Sequence, residues 1–405
     1  MRRWIVPFVA AALAAASFAV GGSTAGASQP ESGDYIVVLR DSVSSARGVA
    51  DEHRRNHRAE IGFVYEHALK GYSARISGRE LGALRSDPRV AYVEADGVAR
   101  TSATTQPNAT WGLDRTDQRA LPLSTTYTYS ATGIGVTAYI LDTGIRYSHS
   151  DFGGRAVTGY DAVTKDGNAE DCNGHGTHVA GTVGGTTYGV AKGVGLVAVR
   201  VLDCGGSGTW SGVIAGIDWV AENHAKPAVA NMSLSGGGSN AVDDAVKRLI
   251  AAGVTTVVAA GNGNMAGIAQ DACNYSPARV PEALTIGATD SSDAKTSFSN
   301  YGSCVDWFAP GRSITSAWHT TDTATNTISG TSMAAPHVAG VAALHLQGNP
   351  ESAPAQVAGA LSDATTKGIV TNSKTANNHL LCLTTCPVVQ TEPTAPAPRG
   401  GGKKK

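Results

Sequence analysis

The chain has 405 residues, of which 42% are hydrophobic, 16% charged and 6% aromatic, and its formal net charge is -1. The apolar share is enough for a sizeable core and excludes wholesale disorder. The near-zero charge gives no electrostatic support for nucleic acid or an anionic membrane as a partner. Glycine occurs 49 times, well above an average share of about 7%, which indicates a loop-rich protein with many tight turns.

The first 27 residues have the pattern of a secretory signal peptide. Arg2 and Arg3 provide a positive end, residues 4–20 form an apolar run, and Ala25-Gly26-Ala27 fits the small-x-small cleavage pattern. The alternative is a transmembrane anchor, but a stable span needs about 20 apolar residues, and this run is shorter and rich in alanine. The sequence therefore predicts a soluble protein that is secreted after cleavage near residue 27.

Six cysteines agree with export, because disulfides persist in oxidising compartments. In chain order they are Cys172, Cys204, Cys273, Cys304, Cys382 and Cys386. Many pairings are possible, so the sequence alone leaves the connectivity open. We expect sequential pairing, which closes two loops of similar size, each stabilising the fold by about 3–4 kcal/mol, and a short clip near the end.

Residues 28–102 form a small α+β unit that is richer in charge than the rest of the chain. Strands are predicted at 35–39, 71–76 and 90–94, with a polar amphipathic helix over 43–61. Ser77 and Glu80 have capping-box spacing ahead of a short helix that ends near Pro88. Residues 101–110 have the composition of turns and loops, which predicts a linker to the next domain.

The segment 103–382 alternates strands with helices. Five apolar, β-rich runs are predicted to be strands, at 135–141, 196–202, 228–234, 254–260 and 283–288. Helical periodicity is clearest over 240–252. This alternation predicts an α/β domain with a mostly parallel sheet covered on both faces. Residues 383–405 are rich in proline, glycine and lysine and are expected to be a flexible tail.

Three polar segments stand where an open α/β sheet gathers catalytic groups, beyond the carboxyl ends of strands. Asp142 ends the strand 137–141, His175 lies between glycines at a helix start, and Ser332 directly precedes an apolar helix. Each residue alone has a structural explanation, such as a turn or an N-cap. In the order Asp, His, Ser they match the chain order of the subtilisin triad.

The segments around these residues resemble the three signatures of the subtilisin-like serine proteases. They are Asp142-Thr143-Gly144, His175-Gly176-Thr177-His178 and Gly330-Thr331-Ser332-Met333-Ala334-Ala335-Pro336-His337. The chain resembles most the proteinase K branch, particularly the aqualysin-type secreted enzymes, on the further segments 111–115, 228–234 and 297–302.

This resemblance covers residues 111–382 almost without a break. Residues 35–99 resemble, more weakly, the inhibitory propeptide that precedes such enzymes. The implied fold is a subtilisin-like, doubly wound, mostly parallel sheet flanked by helices. A ferredoxin-like α+β propeptide domain over 28–102 would precede it.

The resemblance implies a secreted serine endopeptidase, made as a zymogen that processes itself near 100–106. Ser332 would attack the scissile carbonyl, His175 would take its proton and pass it to the leaving amine, and Asp142 would orient the imidazole. The Asn262 carboxamide and the Ser332 N–H would hold the oxyanion. No cofactor is implied for catalysis, and a monomer is expected. The alternative is a catalytically silent binding protein of the same fold, which would lack one of these residues, and none is missing.

Protein substrate is expected to bind as an added strand between two edges of the cleft. The resemblance assigns the edges and the pocket to Gly206, Ser207, Gly208, Ser233, Leu234, Ser235, Gly236, Ala259, Ala260 and Gly261. Small uncharged walls predict a broad preference for apolar or aromatic residues before the cut. Relatives often carry glycine in place of Ser235, whose hydroxymethyl group would narrow or polarise the pocket.

The resemblance also implies structural calcium. The principal site would use the carbonyls of Pro281 and Ala283 and the carboxylate of Asp306, oxygen donors that suit a hard cation. The residues of a second site would be Asp114, Asp117 and Gln118. Two carboxylates three residues apart fit a solvated turn equally well.

Overall fold

The computed structural model describes residues 32–97, 103–264 and 266–386. The predicted signal peptide and residues 387–405 of the predicted tail lie outside the described residues. The chain divides into two compact units, residues 1–100 and 101–405. In the described ranges, no helix combines the length and the hydrophobicity needed to cross a membrane.

The first unit carries an antiparallel sheet and two helices. Its described elements are β1 (Gly33–Leu39), α1 (Ala46–His57), β2 (Glu60–Tyr65), β3 (Gly71–Ile76), α2 (Gly78–Ser86) and β4 (Val90–Ala95). The strand order is β2-β3-β1-β4, and β1 is antiparallel to both of its neighbours. This is the ferredoxin-like arrangement expected from the sequence, with Val37, Tyr72, Ile76 and Leu84 fully buried in its core.

Two details of this unit differ from the sequence predictions. Helix α1 ends at His57 instead of residue 61, because Arg58 takes a left-handed conformation with φ 51°. The chain then enters β2, a strand that the periodicity did not show. Ser77 is the N-cap of α2, but its side chain makes no capping hydrogen bond, so the predicted capping box does not form.

The second unit is an α/β domain. Its strands are β5 (Thr104–Pro107), β6 (Thr126–Tyr129), β7 (Thr137–Asp142), β8 (Ala156–Asp161), β9 (Gly195–Arg200), β10 (Ala228–Met232), β11 (Gly236–Gly237), β12 (Thr255–Ala259), β13 (Tyr275–Ser276), β14 (Leu284–Thr289), β15 (Trp307–Pro310), β16 (Ile314–Ala317), β17 (Thr325–Ile328), β18 (Thr366–Lys367) and β19 (His379–Leu380). Its helices are α3 (Trp111–Thr116), α4 (His175–Gly184), α5 (Trp210–Asn223), α6 (Asn240–Ala251), α7 (Thr331–Gly348) and α8 (Pro354–Ala364).

The main sheet of this unit has the strand order β18-β19-β15-β14-β12-β10-β7-β9-β8. Its pairs are parallel from β8 to β19, and β18 pairs antiparallel with β19. The mostly parallel sheet is thereby confirmed. The strand order reverses at β7, which lies between β9 and β10. Ligands of doubly wound sheets bind at the carboxyl ends of the strands at such a reversal, and Asp142 is the last residue of β7.

Residues 104–107, predicted to lie in a linker, form β5, which pairs antiparallel with β6. Thr104, Thr105 and Gln106 provide a short extended stretch, and β-branched threonines favour such a strand. The polar, turn-like composition of the flanking residues hid this strand from the sequence analysis. The linker prediction is therefore wrong for 104–107.

The expected disulfides all form. Cys172 pairs with Cys204, Cys273 with Cys304, and Cys382 with Cys386. The sequential connectivity is confirmed, and no free cysteine is left in the described residues.

Candidate active site

Asp142 and His175 form a hydrogen-bonded pair at the carboxyl end of β7. The Asp142 carboxylate is fully buried, and its Oδ1 lies 2.7 Å from His175 Nδ1. Because a carboxylate can only accept hydrogen bonds, Nδ1 must carry the proton, and Nε2 of the neutral ring keeps its lone pair. Asp142 Oδ2 is buried without a hydrogen-bond partner. The imidazole is thus held in the tautomer that a general base needs.

The start of α4 places His175 in this position. Gly174, its N-cap, has φ 111°, and a Cβ there would lie 2.5 Å from the Trp318 ring, so only glycine fits. Asp171 accepts hydrogen bonds from the Gly174 N–H and the Thr143 hydroxyl, both at 2.9 Å. Thr143 follows Asp142 directly, so this bond joins the end of β7 to the start of α4. The sequence analysis missed Asp171, although its position four residues before His175 in a glycine-rich turn is a usable signal.

Charge sets the proton affinity of His175. Burial lowers the pKa of the imidazole, but the charge and the hydrogen bond of Asp142, with the charge of Asp171, outweigh burial and raise the pKa above 6.5. A base with a raised pKa accepts a proton more readily.

Ser332 is the second residue of α7, not a residue ahead of the helix as predicted. Its hydroxyl donates to the Ser233 carbonyl at 3.1 Å, and the Ser233 hydroxyl donates to the Ser332 carbonyl at 2.8 Å. Pro336 has no N–H, so the Ser332 carbonyl lacks its partner four residues on and is free to accept from Ser233.

No hydrogen bond joins Ser332 to His175 among the described residues, so the continuous Asp-His-Ser chain of hydrogen bonds expected from the resemblance is present only in its first half. The Ser332 hydroxyl is paired with the Ser233 carbonyl instead. Catalytic hydrogen bonds are often long in substrate-free structures and shorten when substrate binds.

Asn262 lies beside the start of α7 with its amide nitrogen available. Its Oδ1 accepts from the Thr331 N–H at 2.8 Å and the Thr331 hydroxyl at 2.9 Å. The Thr331 hydroxyl in turn accepts from the Gly261 N–H at 3.1 Å. A Cβ built on Gly330 would lie 3.2 Å from Asn262 Nδ2. The carboxamide is therefore fixed with its oxygen in use and its donor near Ser332.

We expect Asn262→Ala to lower kcat by about 10²–10³, the loss measured for one oxyanion donor in subtilisin. KM should change little, because the oxyanion exists only along the reaction path. Thr331→Val is the matched control, since it removes one bond to Asn262 Oδ1 but leaves Nδ2, and a loss of about tenfold is expected. Steady-state kinetics on a peptide anilide measure both. A loss confined to KM would show that Asn262 binds ground-state substrate instead.

Two adjoining cavities border these groups. The first, of about 470 Å³, is lined by His175, Asn173 and Trp210 together with the predicted edge Gly206–Gly208. The second, of about 270 Å³, is lined by Ala259, Gly261, Asn262, Tyr275 and Ser332. Both share the second predicted edge, Ser233, Leu234, Ser235 and Gly236. The lining includes no lysine, arginine or carboxylate.

The prediction for Ala260 is wrong. This residue is fully buried and packs in a separate hydrophobic cluster with Phe308 and Val305. Alternate residues of a strand point to opposite faces, so Ala259 faces the cavity and Ala260 faces away. Trp210, Asn173 and Tyr275 line the cavities and were missed, because no local pattern links them to the triad segments.

Asp306, of the principal predicted calcium site, lies against the start of β14. Its Oδ2 accepts from the Thr285 N–H at 2.7 Å, and burial raises its pKa to about 6. Ala283 is buried just ahead of β14. Asp306 is half-buried, and within the part of the chain that the structure describes no lysine, arginine or histidine forms an ion pair with it, so the carboxylate fits a hard metal ion.

Most side chains of the second predicted calcium site already make hydrogen bonds within the protein. The Asp114 carboxylate accepts from the backbone of Ser124 and Thr125, and the Gln118 amide donates to the carbonyl of Pro122 at 2.9 Å. Asp117 Oδ1 is buried without a hydrogen-bond partner, and burial, with the charge of Asp114, raises the Asp117 pKa to about 6. In the described residues no cluster of three or more histidine, cysteine or acidic side chains could hold a metal, so carbonyl oxygens would have to contribute.

Comparison with known proteins decides the family. Residues 133–381 match the Subtilase family of peptidases. The chain belongs to the subtilase family. Residues 34–102 of this subtilase match the peptidase inhibitor I9 family, which confirms the propeptide resemblance.

This subtilase is similar to several characterised proteases. It is 61% identical over 326 residues to "Extracellular serine proteinase" of Thermus sp. (strain Rt41A), across 80% of this chain and 78% of that protein. It is 45% identical over 353 residues to "Alkaline serine protease ver112" of Corniculantispora psalliotae, across 85% and 88% of the two chains. A solved structure of a cold adapted subtilisin-like serine proteinase is 57% identical, with a TM-score of 0.66 over 68% of this chain and 98% of that one.

These findings confirm the resemblance to the subtilisin-like serine proteases that the sequence analysis described. The subtilase is an extracellular serine endopeptidase of the subtilisin type, made with an inhibitory I9 propeptide domain. The alternative of a catalytically silent binding protein is not favoured.

Proposed function

We propose that Ser332 is the nucleophile, His175 the general base and Asp142 the residue that orients it. The 2.7 Å bond between Asp142 Oδ1 and His175 Nδ1 carries this assignment, because it leaves Nε2 free at the 470 Å³ cavity, which adjoins the 270 Å³ cavity that Ser332 lines. Nε2 takes the Ser332 proton as Oγ bonds to the scissile carbonyl carbon, then gives it to the leaving amine. Water then hydrolyses the acyl-enzyme by the same route. Asn262 Nδ2 and the Ser332 N–H donate to the oxyanion.

Labelling with a fluorophosphonate tests the nucleophile directly. We expect one covalent adduct, mapped to Ser332 by peptide mass spectrometry, at a rate that falls as acid protonates His175. Ser235→Ala is the control, since it removes a nearby hydroxyl and should leave labelling intact. An adduct on any other serine, or none at all, would contradict the assignment.

We propose that the precursor is exported by residues 1–27 and is then cut before Thr104. The I9 match ends at residue 102, and β5 begins at Thr104 and pairs within the second unit. A cut ahead of Thr104 removes the propeptide and leaves that pairing intact. N-terminal sequencing of the secreted enzyme tests this, and a mature N-terminus after residue 107 would contradict it.

Substrate is proposed to bind as a strand between Gly206–Gly208 and Ser233–Gly236, with the residue before the cut in the 270 Å³ cavity. The small, uncharged lining supports a broad preference for apolar and aromatic side chains. Ser235 modifies this side-chain preference, since the Ser235 Oγ lies 3.0 Å from the place where a Cβ on Gly261 would stand. Its hydroxyl therefore lies close to the backbone of Gly261, which lines the same cavity.

Ser235→Gly should raise kcat/KM for substrates with phenylalanine before the cut by about tenfold relative to substrates with glutamine. The change removes both bulk and a hydrogen-bonding group, and small pocket differences are worth about 1–3 kcal/mol. Ser235→Ala separates the two effects, because it removes the hydroxyl but keeps the Cβ. Profiling a peptide library measures the ratio, and an unchanged profile would show that Ser235 has no part in selection.

We propose that calcium binds at the Pro281 and Ala283 carbonyls with Asp306, and more weakly beside Asp117. Chelation should lower Tm by about 5–10 °C, since a ligand at 100 times its Kd stabilises by about 2.7 kcal/mol. Asp306→Asn should remove most of this response, while Glu282→Gln on the exposed neighbour should retain it. Thermal unfolding of the inhibited enzyme with and without a chelator measures the response. Equal calcium responses in both variants would exclude the Asp306 site.

A further inference from the structure

Asn300 lies in the segment 297–302, one of the segments that carry the family resemblance. Its side chain is fully buried, although it ends in a polar amide. Burying an amide is costly unless its donors and its acceptor find partners. The hydrogen bonds of this amide go to the loop 260–270, which carries Asn262.

The Asn300 side chain holds this loop on both sides of Asn262. Its Nδ2 donates to the Ala260 carbonyl at 2.9 Å, two residues before Asn262. Its Oδ1 accepts from the Gly263 N–H at 3.0 Å, directly after Asn262, and from the Gln270 N–H at 2.8 Å. One buried amide therefore ties together the backbone that enters and the backbone that leaves Asn262.

The glycines that flank Asn262 explain why the loop needs this support. Gly261 has φ 97° and Gly263 has φ 82°, and glycine gives the backbone more conformational freedom than any other residue. A Cβ on Gly261 would lie 2.5 Å from Asn300 Nδ2, so only glycine leaves room for the amide. The Asn300 N–H also donates to the Gly261 carbonyl at 3.0 Å. The bonds to Asn300 thus select one conformation of a stretch that is otherwise free to adopt many.

Asn262 depends on its backbone for the position of its amide. Its side chain is exposed, and Thr331 holds its Oδ1. The place of Nδ2, the proposed donor to the oxyanion, follows from that bond and from the backbone that carries the side chain. Donors of an oxyanion hole act because they are already in place when charge develops. A shifted backbone would therefore weaken this donor even with Thr331 present.

We infer that Asn300 is a positioning residue for peptide hydrolysis: it fixes the backbone on both sides of Asn262, so that Nδ2 meets the oxyanion without reorganisation. This inference rests on the proposed role of Asn262. Asn300 acts through Asn262 and does not itself reach the reacting atoms.

A double-mutant cycle with Asn262 tests this route. Asn300→Ala should lower kcat by about 10²-fold, the loss that a misplacement of about 1 Å can cause. KM should change less, because the oxyanion exists only along the reaction path. In the Asn262→Ala background the same change should cost little further kcat, since the amide that it positions is already gone. Kinetics on a peptide anilide, with active sites counted by fluorophosphonate titration, measure all four enzymes.

Two further variants separate positioning from a general loss of packing. Thr296→Val removes another buried hydrogen-bonding group just ahead of this segment, a hydroxyl that donates to the Ala288 carbonyl at 3.3 Å, and should leave kcat unchanged. Asn300→Asp keeps the shape and both acceptor bonds but has no donor for the Ala260 carbonyl at neutral pH. It should show the same non-additive loss of kcat, and it serves if Asn300→Ala does not fold.

Three results would overturn the inference. Losses of kcat that multiply in the double variant would show that Asn300 acts on something other than Asn262. An unchanged kcat in Asn300→Ala or Asn300→Asp would exclude positioning and leave the role of Asn262 intact. An unchanged kcat in Asn262→Ala would instead remove the proposed oxyanion donor, and this inference with it.

Discussion

Ser332→Ala is expected to remove peptidase activity and to stop processing of the precursor. The loss of kcat should be about 10⁶-fold, the value measured when the corresponding serine of subtilisin, a relative, is removed. The reason is that alanine has no hydroxyl to attack the scissile carbonyl. The full-length precursor should accumulate on an immunoblot, and a casein assay should show no hydrolysis.

Ser329→Ala is the matched control for this change. Ser329 lies three residues earlier, and its hydroxyl accepts from the Ser313 N–H at 2.8 Å, outside the proposed machinery. That variant should be processed and active. Circular dichroism should show both variants folded. A Ser332→Ala precursor cut at the usual rate would contradict self-cleavage and would require another protease.

Asp142→Asn is expected to lower kcat by about 10⁴ near neutral pH, as in the corresponding trypsin-type variant. An amide can donate to His175 Nδ1, which leaves the proton on Nε2, the atom proposed to accept from Ser332. The wild-type rate should fall as the pH drops through the raised pKa of His175, because the imidazolium cannot act as a base. Without the carboxylate that raises this pKa, the acid limb of the variant should move to lower pH.

Asp171→Asn provides the comparison for this prediction. Its charge also raises the His175 pKa, but less than that of Asp142. The acid limb should therefore move in the same direction by a smaller amount, with a smaller loss of kcat. Profiles of kcat/KM against pH measure both limbs. An acid limb that stays in place in Asp142→Asn would show that another group controls it.

Short-range patterns of the sequence determined much of the fold. Apolar runs of strand length and one clear helical period predicted β7, β9, β10, β12, β14 and α6 to within a few residues, because burial on both faces of a parallel sheet requires continuous apolar strands. The strands β2 and β5 were missed for different reasons: β5 is short and polar, and β2, although largely apolar, begins inside the range predicted for the preceding helix.

Short-range patterns also indicated the candidate catalytic residues, because each of three short segments surrounds one reactive side chain. Their chain order identified Asp142, His175 and Ser332 as candidates, and the resemblance to the family added Asn262. Only the tertiary structure decided how these groups are held: Asp171 joins β7 to α4, Thr331 fixes the Asn262 amide, and Ser233 pairs with Ser332. These partners come from distant segments, and a hydrogen bond depends on distance and angle in space, which sequence spacing does not record.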